Sequence, residues 1–237
     1  MTGRSPFFSI IPSGWYSIGN MRRDSGNATR EALLESAITL FADRGYEATA
    51  VQEIVDAASA TKGAFYHHFR SKLDVAVAIH QRAIERQVDM LQKIVDRGLP
   101  CSVTLALMLE AMIAEHDSHG GEIAIFNQRR SLFQEPAFEP VRKLRDQVER
   151  TFDDVIAQGI ETNEFRSIPS VRVLVFALIG MGAWMYQWYT PSGKMPAREI
   201  GRLYAMILLD GLRSTDPIDK SMLKGASDSF AKLIDDR

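Results

Sequence analysis

Three observations in these 237 residues predict an all-α fold. Apolar residues recur at three- and four-residue spacing along almost the whole chain, and no run alternates as a half-buried strand would. The periodic runs open on Ser, Thr or Pro and close on Gly or Pro, the signals that start and stop helices. Residues 45–74 carry a cap for each helix of a compact helix-turn-helix. The expected architecture is an N-terminal three-helix domain with this motif, followed by a larger helical domain.

The elements follow in order. A first helix covers Thr29–Asp43 and ends in the link Arg44-Gly45-Tyr46. Thr49 is read as the start of a short second helix, with Gln52 completing a capping box. Val51, Ile54 and Val55 form its buried face, and Ala57 and Ala58 permit close approach of the next helix. Ser59 and Ala60 make the turn. Thr61 caps a third helix, Lys62 to about His68, whose first turn is Lys62, Gly63 and Ala64. A lysine beside two very small residues allows that turn to enter a major groove of duplex DNA, with Phe65 and Phe69 anchoring the opposite face. Ser71 caps the following helix, with Lys72 and Asp74 in its first turn.

Beyond this module a long helix is expected from about Ser71 to Asp96, striped by Val75, Ile79, Ile84, Val88, Leu91 and Val95, and ended by Gly98 and Pro100. A helix from about Ser102 to Glu115 comes next, then a break at His119-Gly120-Gly121 and a short helix to about Phe133. Pro136 and Pro140 bracket the start of a helix continuing to about Thr162. Ser170 caps an apolar helix ending near Tyr189, Pro191-Ser192-Gly193 turns the chain, and Ala197–Arg213 forms the last long helix. The tail from Pro217 carries an amphipathic pattern for one more.

The order and spacing of the helix Thr29–Asp43, the link Arg44-Gly45-Tyr46, and then Thr49, Ile54, Ala58, Lys62-Gly63, Tyr66, His68-Phe69 and Ser71-Lys72 resemble the tetracycline-repressor (TetR) family of transcription regulators. Three positions depart from its pattern. Ala50 and Ala64 lack hydroxyls common at those places, and Ser59 replaces a turn glycine, where a left-handed conformation strains the backbone. The resemblance implies a homodimer on a palindromic double-stranded operator, with Thr49, Thr61, Lys62, Gly63, Ala64, Tyr66, His67 and Lys72 as the DNA-binding residues. It also implies an effector pocket in the C-terminal domain. The segment 184–195, WMYQWYTPSGKM, resembles members that govern fatty-acid or sterol-ring catabolism and sense acyl-CoA thioesters.

On that footing the expected domains are an extension 1–20, a DNA-binding domain 21–74, an effector-binding and dimerisation domain 75–215, and a tail 216–237. The effector is expected to be small and largely apolar, with an acyl-CoA as leading identity. Met181, Trp184 and Trp188 are candidates for the ligand wall, since aromatic and Met side chains adapt to apolar guests. Phe126, Arg129 and Phe133, with Arg130, are candidates for the pocket mouth and a phosphate-bearing head. Plain core or a solvated face is the competing reading of both groups. Gly180, Gly182, Ala177 and Ala183 let the 171–189 helix pack closely, so this helix and Ala197–Arg213 are expected to form a four-helix dimer interface.

Composition sets further bounds. A net charge of −2 excludes a globally basic nucleic-acid coat and leaves a local basic footprint, for which Arg22, Arg23, Lys62, Arg70 and Lys72 are available. The lone Cys101 excludes an intramolecular disulfide and suits a reducing cytoplasm. Residues 1–20 are broken by Pro6 and Pro12 before they reach a signal-peptide core. Val173–Tyr186 offers 14 apolar or Gly residues, short of the ~20 that span a bilayer. Adjacent His67-His68 face different ways, and His116 and His119 have no Cys partner, so no metal or other cofactor is expected. No nucleophile elbow, P-loop or dinucleotide fingerprint is present, which argues against an enzyme. The alternatives are a lipid- or CoA-binding protein with a vestigial helix-turn-helix, or a multidrug-type regulator.

Overall fold

A computed structural model describes residues 25–128, 132 and 134–213. It contains α1 (Ser25–Arg44), α2 (Val51–Ala57), α3 (Lys62–His68), α4 (Lys72–Val95), α5 (Cys101–Gln128), α6 (Glu139–Glu161), α7 (Val171–Trp184) and α8 (Ala197–Arg213), with 3-10 turns at Pro136–Phe138 and Met185–Gln187. The fold is all-α, as expected. Among the described residues no helix is long and apolar enough to cross a membrane. Arg22, Arg23 and the amphipathic tail lie outside the described residues, as do Arg129, Arg130, Phe133 and the side chain of Phe126.

Two apolar cores organise the chain. The first joins Leu33, Leu34, Ala37 and Phe41 of α1 to Ile54, Val55, Phe65 and Phe69 of α2–α3 and to Val75, Ala76 and Ile79 of α4. The second joins Leu91 and Ile94 of α4 to the inner faces of α5, α6, α7 and α8. One helix, α4, therefore contributes to both, its N-terminal half to the first and its C-terminal half to the second. Ile125 at the end of α5, with Phe138 and Val141 around the start of α6, also enters the first core.

Local signals explain several boundaries. Gly45, at φ +86, ends α1 in a left-handed conformation that costs glycine nothing. Thr61 caps α3 by accepting from Ala64 N–H at 3.1 Å, and Ser71 caps α4 by accepting from Asp74 N–H at 3.1 Å. The start of α2 corrects the expectation. Ala50 is its N-cap, and Glu53, not Gln52, returns a carboxylate to the Ala50 N–H at 2.7 Å. Gln52 pairs with Asp56 on the solvent side.

The break at His119-Gly120-Gly121 is a kink inside one helix. His119 leaves helical geometry at φ −131, ψ 22, and α5 then continues to Gln128. The continuation has a packing reason. A Cβ on Gly121 would lie 3.7 Å from Ala42 Cβ and 3.9 Å from Ile38 Cγ2, so α5 beyond the kink rests on α1. At the other end, Glu164 caps α5 from 63 residues away, its carboxylate accepting from Cys101 and Ser102 N–H at 2.9 and 3.0 Å.

Candidate nucleic-acid interface and effector chamber

Helix α3 turns two faces to two environments. Phe65 and Phe69 are buried with ring centroids 5.8 Å apart, while Lys62, Gly63, Tyr66 and His67 are exposed along the other side. Arg70 is exposed just beyond. Ser59 takes φ 50, so the turn adopts the left-handed form despite lacking glycine. Ala64 is half-buried with its N–H held by Thr61.

Two of the expected contact residues are turned inward. Thr49 is 1% exposed, and its hydroxyl donates to the Gly45 carbonyl at 2.9 Å, so it holds the α1–α2 link rather than facing outward. Lys72 Nζ donates to the carbonyls of Tyr46, Thr49 and Glu47 at 2.7, 2.8 and 3.3 Å, and stands 4.4 Å over the Tyr46 ring. Its three N–H donors each have an acceptor in the chain. Lys72 thus ties the α1–α2 link to the start of α4 and sets the pose of α3 between them.

Between α4, α5, α6 and α7 lies a chamber of about 150 Å³, a volume that accepts a benzene-sized guest. Ala83, Ile84, Met112, Val148, Ile179, Gly182 and Ala183 form its apolar part, and Arg86, Glu115, His116, His119, Glu122 and Arg145 its polar part. Burial, reinforced by the charge of Arg145, holds His80 on its wall at a pKa of about 3, so its ring is neutral near pH 7. Burial also lowers His116. The His119 ring, with Nδ1 3.1 Å from the carboxylate, and the Arg86 charge hold Glu115 below the usual carboxylate range against its own desolvation.

Met181, Trp184 and Trp188 are absent from the residues around this chamber. They fall on the outer stripe of α7 and its extension, with Val173 and Phe176, while Gly182, Ala183 and Ile179 occupy the inner side. Trp184 is 61% exposed. On α8 the residues Leu203, Met206 and Ile207 are likewise exposed, Ile207 at 62%, whereas Ile200, Gly201, Ala205 and Leu212 pack inward. Each of the two helices thus turns apolar side chains outward, more than the scattered exposure expected of a monomer. Salt bridges from Glu110 to Arg198 and Arg202 fix α8 on α5. At the head of α8, Tyr189 donates to Asp117, and its hydroxyl accepts from Ala197 N–H at 3.0 Å.

Residues 33–79 match the pattern described as "Bacterial regulatory proteins, tetR family", and residues 100–212 match "Tetracyclin repressor-like, C-terminal domain". The chain belongs to the TetR family. It is 31% identical over 189 residues to the HTH-type transcriptional repressor KstR2 of Mycobacterium tuberculosis, covering 78% of this chain and 94% of that protein. The solved structure of the ketosteroid transcriptional regulator KstR2 of the same organism superposes with a TM-score of 0.71 at 28% identity, over 78% and 95% of the two chains. AibR, solved with isovaleryl coenzyme A and operator DNA, shares the fold at a TM-score of 0.67 and 23% identity, over 78% and 97%.

As a TetR-family member the chain is a ligand-responsive transcription regulator rather than an enzyme. Among the described residues no group of three His, Cys, Asp or Glu side chains could hold a metal ion. The structure brings Lys62, Gly63, Tyr66 and His67 together on one outer face. It separates Met181, Trp184 and Trp188 from the chamber. The polar chamber residues Arg86, Glu115 and Glu122 had no signal in the sequence, because they come from helices about 30–40 positions apart.

Proposed function

We propose that this TetR regulator is a homodimeric repressor that grips a palindromic operator through α3 and releases it when an acyl-CoA thioester inserts its acyl group into the α4–α7 chamber. Lys62, Gly63, Tyr66 and His67 face the major groove in this reading, with Thr61 and Ala64 closing the helix start and Lys72 positioning it. The observation that carries the proposal is the chamber's location. Its wall includes α4, the same helix whose first turns form the core of the reading head.

Dimer formation through the outer faces of α7 and α8 accounts for the apolar residues exposed on each and puts Trp184, Trp188 and Met181 against the partner. In the dimer, two α3 helices must match successive major grooves ~34–36 Å apart. A benzene-sized acyl group matches the space of about 150 Å³ as it stands, and a bulkier one enters as the surrounding helices shift. That favours a conformer with altered α3 spacing, to the extent of the ligand's differential affinity for it. The resemblance to KstR2 and the coenzyme A thioester bound by AibR, a protein of the same fold, support this choice of effector.

The test is to titrate the protein–operator complex with acyl-CoAs of increasing chain and ring size and with the matching free acids. Release by thioesters is the expected result. Inert thioesters together with release by unrelated drugs would favour a multidrug-type regulator, and a protein that binds acyl-CoA but no specific duplex would mark the helix-turn-helix as vestigial.

A further inference from the structure

A chain of ion pairs runs from the chamber wall to the reading head. Arg82 and Arg86 stand one turn apart on α4. Glu122, from α5 just past the kink, is only 5% exposed, and its two oxygens are divided between them. Oε1 accepts from Arg82 Nη2 at 3.0 Å and Oε2 from Arg86 Nη2 at 2.7 Å. Arg82 then reaches α1, with Nη1 at 2.9 Å from Glu31 and Nη2 at 2.9 Å from Glu35. Arg86 and Glu122 line the chamber, whereas Arg82 does not.

Two atoms of this chain are left over: Arg82 Nε and Arg86 Nε are both buried and find no acceptor among the described residues. Of these two residues only Arg86 lines the chamber. A buried guanidinium donor without an acceptor is unfavourable, and a guest that supplies an oxygen relieves it. The neighbourhood also responds to such a guest. Glu115, at 3.8 Å, and Glu122 already face Arg86, so a further oxygen on the guanidinium competes with Glu122 for it. Glu122 cannot shift from Arg86 without altering its bond to Arg82, and Arg82 cannot follow without altering its hold on Glu31 and Glu35. The His119 kink, beside Glu115 on the same wall, is where the Glu122-bearing half of α5 can swing.

We propose that Arg86 reads a carbonyl oxygen on the effector and that the Arg86–Glu122–Arg82 chain passes its occupancy to α1. The inference rests on the chamber being the effector site and deepens that reading. It names the ligand class as a compact apolar group, about the size of benzene, bearing a carbonyl or carboxylate oxygen beside it. Arg86 is then a specificity residue that touches the ligand, and Arg82 a positioning residue that does not.

The probes are benzoyl-CoA, benzoate, methyl benzoate and isopropylbenzene, the last nearly the shape of the ester without its oxygens. Binding to the full-length dimer is measured by calorimetry, and operator affinity is measured with and without saturating probe. Wild type should bind methyl benzoate at least tenfold more tightly than isopropylbenzene. Benzoate and benzoyl-CoA then tell whether a carboxylate or a thioester carbonyl serves best. Arg86→Lys keeps the charge but lacks the Nε–H, and should erase the tenfold discrimination. Arg82→Met should bind probe and operator within about threefold of wild type yet lose the effect of probe on operator affinity. Glu122→Gln, which keeps the shape and one acceptor, provides a milder second break in the chain and should weaken the same effect. Discrimination retained in Arg86→Lys, or release retained in both Arg82→Met and Glu122→Gln, overturns this inference and leaves the chamber reading intact. If none of the probes binds wild type and no longer acyl-CoA does either, the chamber reading falls and the inference with it.

Discussion

Replacing Lys72 with Met separates two ways in which a basic residue can serve DNA binding. Nζ bonds three main-chain carbonyls between 2.7 and 3.3 Å and stands 4.4 Å over the Tyr46 ring. Hydrogen bonds to a charged group contribute roughly 1.5–3 kcal/mol, and an exposed cation–π contact about 0.5–1 kcal/mol. Lys72 is half-buried, and water replaces part of what is lost, which places the net cost near 2 kcal/mol. With a urea slope of about 2 kcal/mol/M, the unfolding midpoint should fall by about 1 M. Operator binding should weaken as the pose of α3 loosens. Its salt dependence should stay unchanged, because the ammonium has no donor left for a phosphate. A phosphate contact in each subunit would instead contribute about 0.9 each to the slope of log affinity against log salt. The assay is urea unfolding followed by chromophore signal, paired with operator titrations from low to moderate salt. An unchanged midpoint together with a slope reduced by about two would refute the positioning role and make Lys72 a phosphate contact.

Other perturbations test the remaining parts. In Gly201→Ala the new methyl would lie 2.8 Å from Glu110 Cα and 3.1 Å from Ile113 Cβ. Backbone cannot yield as a side-chain end does, so overpacking of about 1–3 kcal/mol should outweigh the roughly 0.5–1 kcal/mol gained in helix propensity, and a gain in melting temperature would contradict the close α5–α8 contact. Gly180 has nothing within 4 Å of a built Cβ, so Gly180→Leu should leave a single chain stable and act only through a partner; like Ile207→Glu, it should dissociate the dimer in light scattering and abolish operator binding, and a dimeric, DNA-binding variant would move the interface elsewhere. Burial and Arg145 depress His80 from 6.5 to about 3, so the stability it contributes is complete above about pH 6.5 and is lost as pH falls toward about 3, amounting to about 2 kcal/mol by pH 5. His80→Leu should flatten that stretch of the stability–pH profile, and an equally steep profile would show that other groups control it. Phe65→Ala should cost about 3–5 kcal/mol and unfold the reading head first, visible as early amide exchange in α1–α3.

The sequence was most legible where the physics is local. Thr61 and Ser71 cap their helices within three residues, and the alternation of Phe65 and Phe69 with Tyr66 follows from helical periodicity alone. Thr49 misled because its hydroxyl answers to carbonyls of the preceding link, a tertiary demand, while a Glu53 carboxylate does the capping. The His119-Gly120-Gly121 triplet reads as a stop signal, yet packing of Gly121 on α1 keeps α5 going. The Met181–Trp184–Trp188 stripe was visible as a stripe, but periodicity cannot say which side of a helix faces a chamber. That was decided by Gly182 packing against Met112 and Ile113, with Ile179 and Ala183 on the chamber wall. The Glu164 cap on α5 and the Arg82–Glu122–Arg86 chain join residues 36 to 63 positions apart, and nothing local announces them.

A dimer that reads two half-sites through α3 is tested by selecting duplexes from a random pool with the purified protein, sequencing those retained, and weighing the resulting complex. The expected result is a palindromic consensus with half-sites set by the groove repeat. It should be bound by an even number of chains and lost when Tyr66 and Lys62 are both replaced by Ala. A retained pool without consensus, or a single chain bound to an asymmetric site with undiminished affinity in that double variant, would contradict it.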